Sequence, residues 1–190
     1  MNSRIFDDLR NQKFSEMGNR RKPNNMNTPK LYKLNDKTVN ILTDRLADEY
    51  TAHYYYRAAA NWCNDMNYKK ASAFFTTEAN NELQHAEGLQ KYITDFNIIP
   101  EIPSVDTLFE FENLVDIIYG AYQLELDLMK AYNRDSQILF SEDITTFDFL
   151  REYREGQKNS VVEYNDLINA LDLIDKTDKF QVLYFEQTYL

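Results

Sequence analysis

Glycine and proline are scarce in this chain, four of each in 190 residues. Both punctuate turn-rich folds, so their shortage argues against a sandwich or barrel of many short strands and favours long helices. Cysteine occurs once, as Cys63, so no intrachain disulfide can form and nothing points to an oxidising compartment. Histidine occurs only twice, as His53 and His85, so any metal site must lean on carboxylates. No run of about 18 or more apolar residues exists, which excludes a transmembrane helix, and the N-terminus lacks the apolar stretch of a secretory signal. The expectation is a cytoplasmic protein that does not engage a membrane.

Apolar content is ordinary at 43%, and the length suits one domain with one sizeable core. The net charge of −10 is spread unevenly. Residues 1–35 carry eight Lys/Arg against three acids, which leaves the remainder strongly acidic. Such a body repels nucleic acid and attracts cations. Gly18 to Asn25 is polar, basic and helix-breaking, so residues 1–36 read as a flexible extension. Residues 37–175 read as a helical bundle, and 176–190 as a short C-terminal helix. Cys63 falls on the first long helix and reads as an inert core thiol.

Four long helices follow from the 3.6-residue apolar period. The first, about 37–64, has the stripe Ile41, Leu46, Glu49, His53, Tyr56, Ala60, Cys63. The second runs to about Phe96 with Asn67 as its expected cap. The third, 111–140, has the stripe Leu114, Ile118, Ala121, Glu125, Leu128, Tyr132. The fourth, 145–174, has Phe149, Tyr153, Gln157, Val161, Tyr164, Ile168 and Leu171. A very apolar helix over 179–190 should dock on its own bundle or on a neighbouring subunit. Between helices two and three lies a segment with two prolines in four residues, Pro100 and Pro103, which favours an extended path. About 12–14 extended residues reach about 40 Å, and a helix of about 28 residues is about 42 Å long. The connection can therefore cross the full length of a bundle, where a simple hairpin needs far fewer residues.

Each stripe is interrupted by a polar residue near its middle: Glu49, then Glu82 with His85, then Glu125, then Gln157. In Glu82-Leu83-Gln84-His85 the acid and the imidazole sit three residues apart and share a helix face. That face continues through Phe74 and Phe75 on one side and Leu89, Tyr92 and Ile93 on the other. Taken alone the pair reads first as a satisfied core histidine beside an exposed acid, and only second as a metal ligand pair. Four such intrusions at matching depth are harder to explain as packing. Buried unpaired charge costs several kcal/mol unless compensated, and an oxygen-rich set with one imidazole suits Fe, Mn or Zn.

Several segments in order resemble the ferritin family over about Thr38 to Leu190. They are Asp48-Glu49-Tyr50 with Tyr56, then Asn81-Glu82-Leu83-Gln84-His85-Ala86-Glu87, then Tyr122-Gln123-Leu124-Glu125, then Gln157 with Ser160, and last Val182-Leu183-Tyr184-Phe185. The resemblance implies an all-α, ferritin-like four-helix bundle with a long crossover between helices two and three and a short fifth helix. It implies a di-iron centre cycling Fe(II)/Fe(III), with Glu49, Glu82 and His85 on the first iron, Glu82 bridging, and Glu125 completing the second. Gln157 would orient oxygen or water, and Tyr56 would hydrogen-bond a ligand or donate an electron. The implied activity is oxidation of Fe(II) by dioxygen and storage of ferric oxide inside a hollow homo-oligomer of roughly 24 subunits. The alternative is a ferritin-fold structural or cargo protein without efficient ferroxidase activity. The sequence departs from the family pattern at Asn81 and Gln84, where many ferritins carry acids. It departs again at Phe147 and Leu150, near the usual pore acids. His53, one turn from Glu49, is open to two readings, an additional ligand or a packed histidine.

Overall fold

The computed structural model of the chain describes residues 30–190. Residues 1–29 of the expected extension lie outside the described residues. Among those described, every regular element is helical, and no helix is long and apolar enough to cross a membrane.

Helix α1 spans Asp36–Asp65. Asn35 caps it by accepting from the Thr38 amide at 2.9 Å, and Asp36 in the first turn opposes the positive end of the helix dipole. The chain leaves α1 through Met66 and then Asn67, whose φ of 68° lies in the left-handed region that commonly closes a helix. Asn67 therefore helps end the first helix and does not cap the second, as the sequence had suggested. Helix α2 spans Lys69–Asp95, and its preceding residue Tyr68 offers no side-chain cap. The cap comes from the far end of the chain. Glu186 accepts from the backbone amides of Lys70 at 2.7 Å and Ala71 at 3.1 Å through one carboxylate oxygen. A carboxylate on the N-terminal amides satisfies orphan donors and complements the dipole together.

Residues 96–113 carry the chain without regular structure to α3, Leu114–Glu142, where Asn113 accepts from the Asp116 amide at 2.9 Å. The helix starts three residues later than the apolar period suggested, because Asn113 provides the cap. The pairings fix the topology. His53 meets Ala79 and Ser72 meets Ala60, so α1 and α2 run antiparallel. Tyr56 meets Glu125 while Glu49 meets Tyr132, so α1 and α3 are also antiparallel. Helices α2 and α3 must then be parallel, and the connection between them crosses the length of the bundle, as its proline-rich sequence implied. Phe109 and Phe111 anchor its end edge-on against Tyr55.

The expected fourth helix, 145–174, is broken. Helix α4 covers Ile144–Phe149 and α5 covers Arg151–Leu171, with Leu150 between them. Asp143 holds the short piece by accepting from the Thr146 amide at 3.1 Å and its hydroxyl at 2.8 Å. The guanidinium of Arg154 donates to the Phe147 carbonyl at 3.0 Å, serving a carbonyl at the break. Helix α6, Lys179–Tyr189, docks on its own bundle through Val182, Phe185 and Glu186. Its other side leaves Phe180, Leu183 and Tyr184 exposed.

Two apolar clusters fill the interior. One, around Ala52, Tyr56, Phe75, Ile118, Tyr164 and Phe185, lies toward α6. The other, around Leu42, Leu46, Leu89, Ile93, Leu128 and Tyr132, lies toward α4. In sequence, Glu49, Glu82, Glu125 and Gln157 all fall where one cluster's residues give way to the other's on their helices.

Candidate metal centre

Four helices each deliver a buried polar side chain. Glu49 on α1 and Glu125 on α3 are 0% exposed, Glu82 on α2 is 2% and Gln157 on α5 is 1%. Each sits on the face its helix packs inward, with a buried residue three or four positions away: Leu46 for Glu49, Ala121 for Glu125, Ala79 for Glu82 and Val161 for Gln157. His85, one turn beyond Glu82, is half-buried with its side chain 36% exposed, at the rim of the layer.

Glu49, Glu82 and His85 come together as one group, with a ligand atom from each within 4.8 Å of the others. His85 presents Nδ1 to Oε2 of Glu82 at 3.0 Å and to Oε2 of Glu49 at 3.4 Å. Glu125 and Gln157 share the buried layer but fall outside that three-residue group. Tyrosines close the two outer carboxylates. Tyr56 donates its hydroxyl to Oε1 of Glu125, and Tyr132 donates to Oε1 of Glu49. In this layer Oε2 of Glu125 and Oε1 of Gln157 are buried with no hydrogen-bond partner, and Oε2 of Glu49 meets only the His85 ring, at 3.4 Å. An orphaned buried acceptor costs about 1–3 kcal/mol, and more when charged. Hard oxygen donors with one imidazole and unspent lone pairs fit one or two divalent cations such as iron.

The electrostatics point the same way. Burial pushes Glu82 well above the usual carboxylate range, and the charges of Glu49 and Glu125 add to it. Burial also lifts Glu125 to about 7, against the hydrogen bond from Tyr56. Burial pushes Glu49 up too, but hydrogen bonds involving His85, Glu82 and Tyr132 outweigh it and leave Glu49 below its ordinary value. Burial thus biases Glu82 toward its neutral form, while its hydrogen bonds bias Glu49 toward the ionised form. Burial alone would lower His85, yet the two carboxylates beside it raise it to about 10. Protons in this layer occupy the places that a cation's charge would fill.

A cavity of about 230 Å³ opens onto this layer between α2 and α5, lined by Glu78, Asn81, Glu82, Gln84, His85, Gly156 and Ser160. Glu78 at its mouth is raised to about 7 by burial and by Glu163.

His53 lies apart from the group. Its Nδ1 sits 2.6 Å from the Ala79 carbonyl, where it ties α1 to α2. Cys63 is buried, and burial lifts its thiol to about 12, as expected of an inert core residue. Sequence reasoning placed Tyr132 only in the apolar stripe of α3 and missed its bond to Glu49. It also missed Tyr153, whose hydroxyl donates to the His85 carbonyl at 3.2 Å. The available signal was Gly88, a glycine in mid-helix. A Cβ there would stand 2.5 Å from the Tyr153 hydroxyl.

A model of the ferritin-like domain matches residues 39–174. The chain belongs to the ferritin family. It is similar to the bacterial non-heme ferritin of Escherichia coli O157:H7, 25% identical over 154 residues that make up 80% of this chain and 92% of that one. The bacterial non-heme ferritin of Staphylococcus haemolyticus is 24% identical over 159 residues, 83% and 95% of the two chains. Among solved structures, an open-pore ferritin from the hyperthermophilic archaeon Archaeoglobus fulgidus superposes with a TM-score of 0.74 at 19% identity. That match covers 83% of this chain and 98% of the other. Chlorobium tepidum ferritin gives 0.72 at 22% identity, over 81% and 95%. At these identities the structural matches establish the ferritin fold, with its bundle, crossover and short last helix, and the site rests on the residues described above.

Proposed function

We propose that this ferritin-family chain stores iron, and that the buried layer is a ferroxidase centre which binds two Fe(II) ions as substrates. Glu49, Glu82 and His85 hold the first ion, Glu82 bridges, and Glu125 with Gln157 completes the second position. The observation that carries this reading is the set of unspent buried oxygens on Glu49, Glu125 and Gln157 around the Glu82–His85 pair. A scaffold without chemistry has no use for three buried acids whose mutual repulsion it must bear.

The two ferrous ions would each give one electron to dioxygen, which takes up two protons and departs as hydrogen peroxide, and the protein's part is to hold them where one oxygen molecule meets both. His85, raised to about 10 by the carboxylates beside it, would give up a proton as the ions enter, so binding releases protons to solvent. The acidic surface, part of a net charge of −10, raises the local cation concentration. The ferric product would leave through the opening between α2 and α5. A homo-oligomeric cage of roughly 24 subunits gives it a place to collect. Exposed Ile99 and Leu108 on the crossover, and Phe180 and Tyr184 on α6, are apolar surface of the kind that assembly covers.

The test is aerobic oxidation of Fe(II), at two ions per chain, by the wild type and by Glu82→Ala. Absorbance of the ferric product and oxygen consumption are followed together. Rapid oxidation that Glu82→Ala loses supports the centre. Equal slow rates in both proteins refute it and leave a ferritin-fold scaffold.

A further inference from the structure

We propose that Tyr132 is a positioning residue for the candidate centre: its hydroxyl engages Oε1 of Glu49 and so orients the carboxylate with Oε2 toward a metal ion. The inference rests on the metal-binding reading above and extends it to a residue outside the ligand set. Its grounds are geometric. Tyr132 is 0% exposed and lies on α3, opposite Glu49 on α1. It donates to Oε1 of Glu49, whereas Oε2 of the same carboxylate is buried and meets only the His85 ring, at 3.4 Å. Tyr56 does the same at the other end, donating to Oε1 of Glu125 and leaving Oε2 buried and unpartnered. The two outer carboxylates are therefore held in one pattern, each by a tyrosine from a facing helix.

Chemically the pattern favours one-oxygen ligation by each outer glutamate. A free carboxylate can chelate one ion through both oxygens or swing between two ions. One whose second oxygen accepts a buried phenol hydrogen bond has a fixed orientation and one lone pair fewer on that oxygen, which disfavours both. The phenol is itself held. Its ring lies 5.7 Å from that of Tyr153, and the Arg45 guanidinium stands 5.8 Å from its centroid. Arg45 is anchored in turn by Asp48 at 3.0 Å and Asp135 at 3.3 Å. Tyr153 bonds the His85 carbonyl, so the tyrosine pair braces both Glu49 and the backbone of His85.

The test uses Co(II) as a redox-stable probe, titrated without oxygen into the intact protein and read by its visible absorption. Tyr132→Phe keeps the ring and removes only the hydroxyl, and it should weaken Co(II) binding by about 10–100-fold. The same substitution is then made in Glu49→Gln and in Glu125→Gln. If Tyr132 acts through Glu49, its effect disappears in Glu49→Gln and persists in Glu125→Gln. A purely structural role moves both backgrounds alike, and that result overturns the proposal, as does undiminished affinity in Tyr132→Phe alone. Tyr56→Phe supplies the mirror control, losing its effect in Glu125→Gln and keeping it in Glu49→Gln. Failure of the wild type to bind Co(II) at all overturns the metal-binding reading, and the positioning role with it.

Discussion

Replacing Glu125 by glutamine should make the metal-free protein more stable while weakening metal binding at the second position. Glu125 is 0% exposed, and its carboxyl is raised from 4.5 to about 7 by burial and by the charge of Glu49. The folded state therefore keeps a proton there over a range where the unfolded chain has lost it. Stability of the metal-free wild type falls as pH rises from about 4.5 to 7, and the full penalty stands above that range. At about 1.4 kcal/mol per pH unit the penalty is on the order of 3 kcal/mol at pH 8. Glutamine removes it and keeps a carbonyl oxygen for Tyr56, though its amide needs a new acceptor, so a net gain of about 2–3 kcal/mol is expected. At pH 5 the same arithmetic leaves under about 1 kcal/mol. The assay is urea unfolding followed by circular dichroism, with chelator present, at matched chain concentration and at both pH values. A loss of stability at pH 8, or a gain of equal size at pH 5, would refute the claim that a buried ionised carboxylate strains the empty site.

Three further outcomes follow from named contacts. Glu186→Ala removes the acceptor for the Lys70 and Ala71 amides, which should cost about 2 kcal/mol and speed hydrogen exchange at those two amides before the rest of α2. Gly88→Ala puts a Cβ 2.5 Å from the Tyr153 hydroxyl, so Tyr153 must leave the His85 carbonyl, at a cost of about 1–3 kcal/mol in thermal or chemical unfolding. His85 is raised to about 10 in the metal-free protein and is thus charged at neutral pH. Co(II) must displace that proton, so its affinity should increase as pH rises from 6.5 to 8, with proton release visible in a weakly buffered titration.

The sequence carried the architecture well because helical periodicity is a local signal and the four stripes are long. It carried the acids Glu49, Glu82 and Glu125 for a related reason: a charged residue in the middle of an apolar stripe is conspicuous. What it concealed depends on partners distant along the chain. The cap of α2 lies on Glu186, more than a hundred residues away, so a local search settled on Asn67, which in fact terminates α1. The break at Leu150 leaves the apolar face intact, with Leu150 itself fully buried, so periodicity passes over it. Tyr132 reads as core because most of its surface is core, and only its hydroxyl reaches Glu49. His53 stood one turn from Glu49 in the stripe, yet its ring turns to the Ala79 carbonyl. A shared helix face narrows where a side chain points but does not choose its partner.

The most direct test of the central claim is anomalous diffraction at the iron edge from crystals soaked anaerobically in Fe(II). Two peaks are expected inside each bundle, one bonded to Glu49, Glu82 and His85 and one between Glu82 and Glu125. Iron found only on the surface, with Glu49 and Glu125 still bonded solely to their tyrosines, would contradict it.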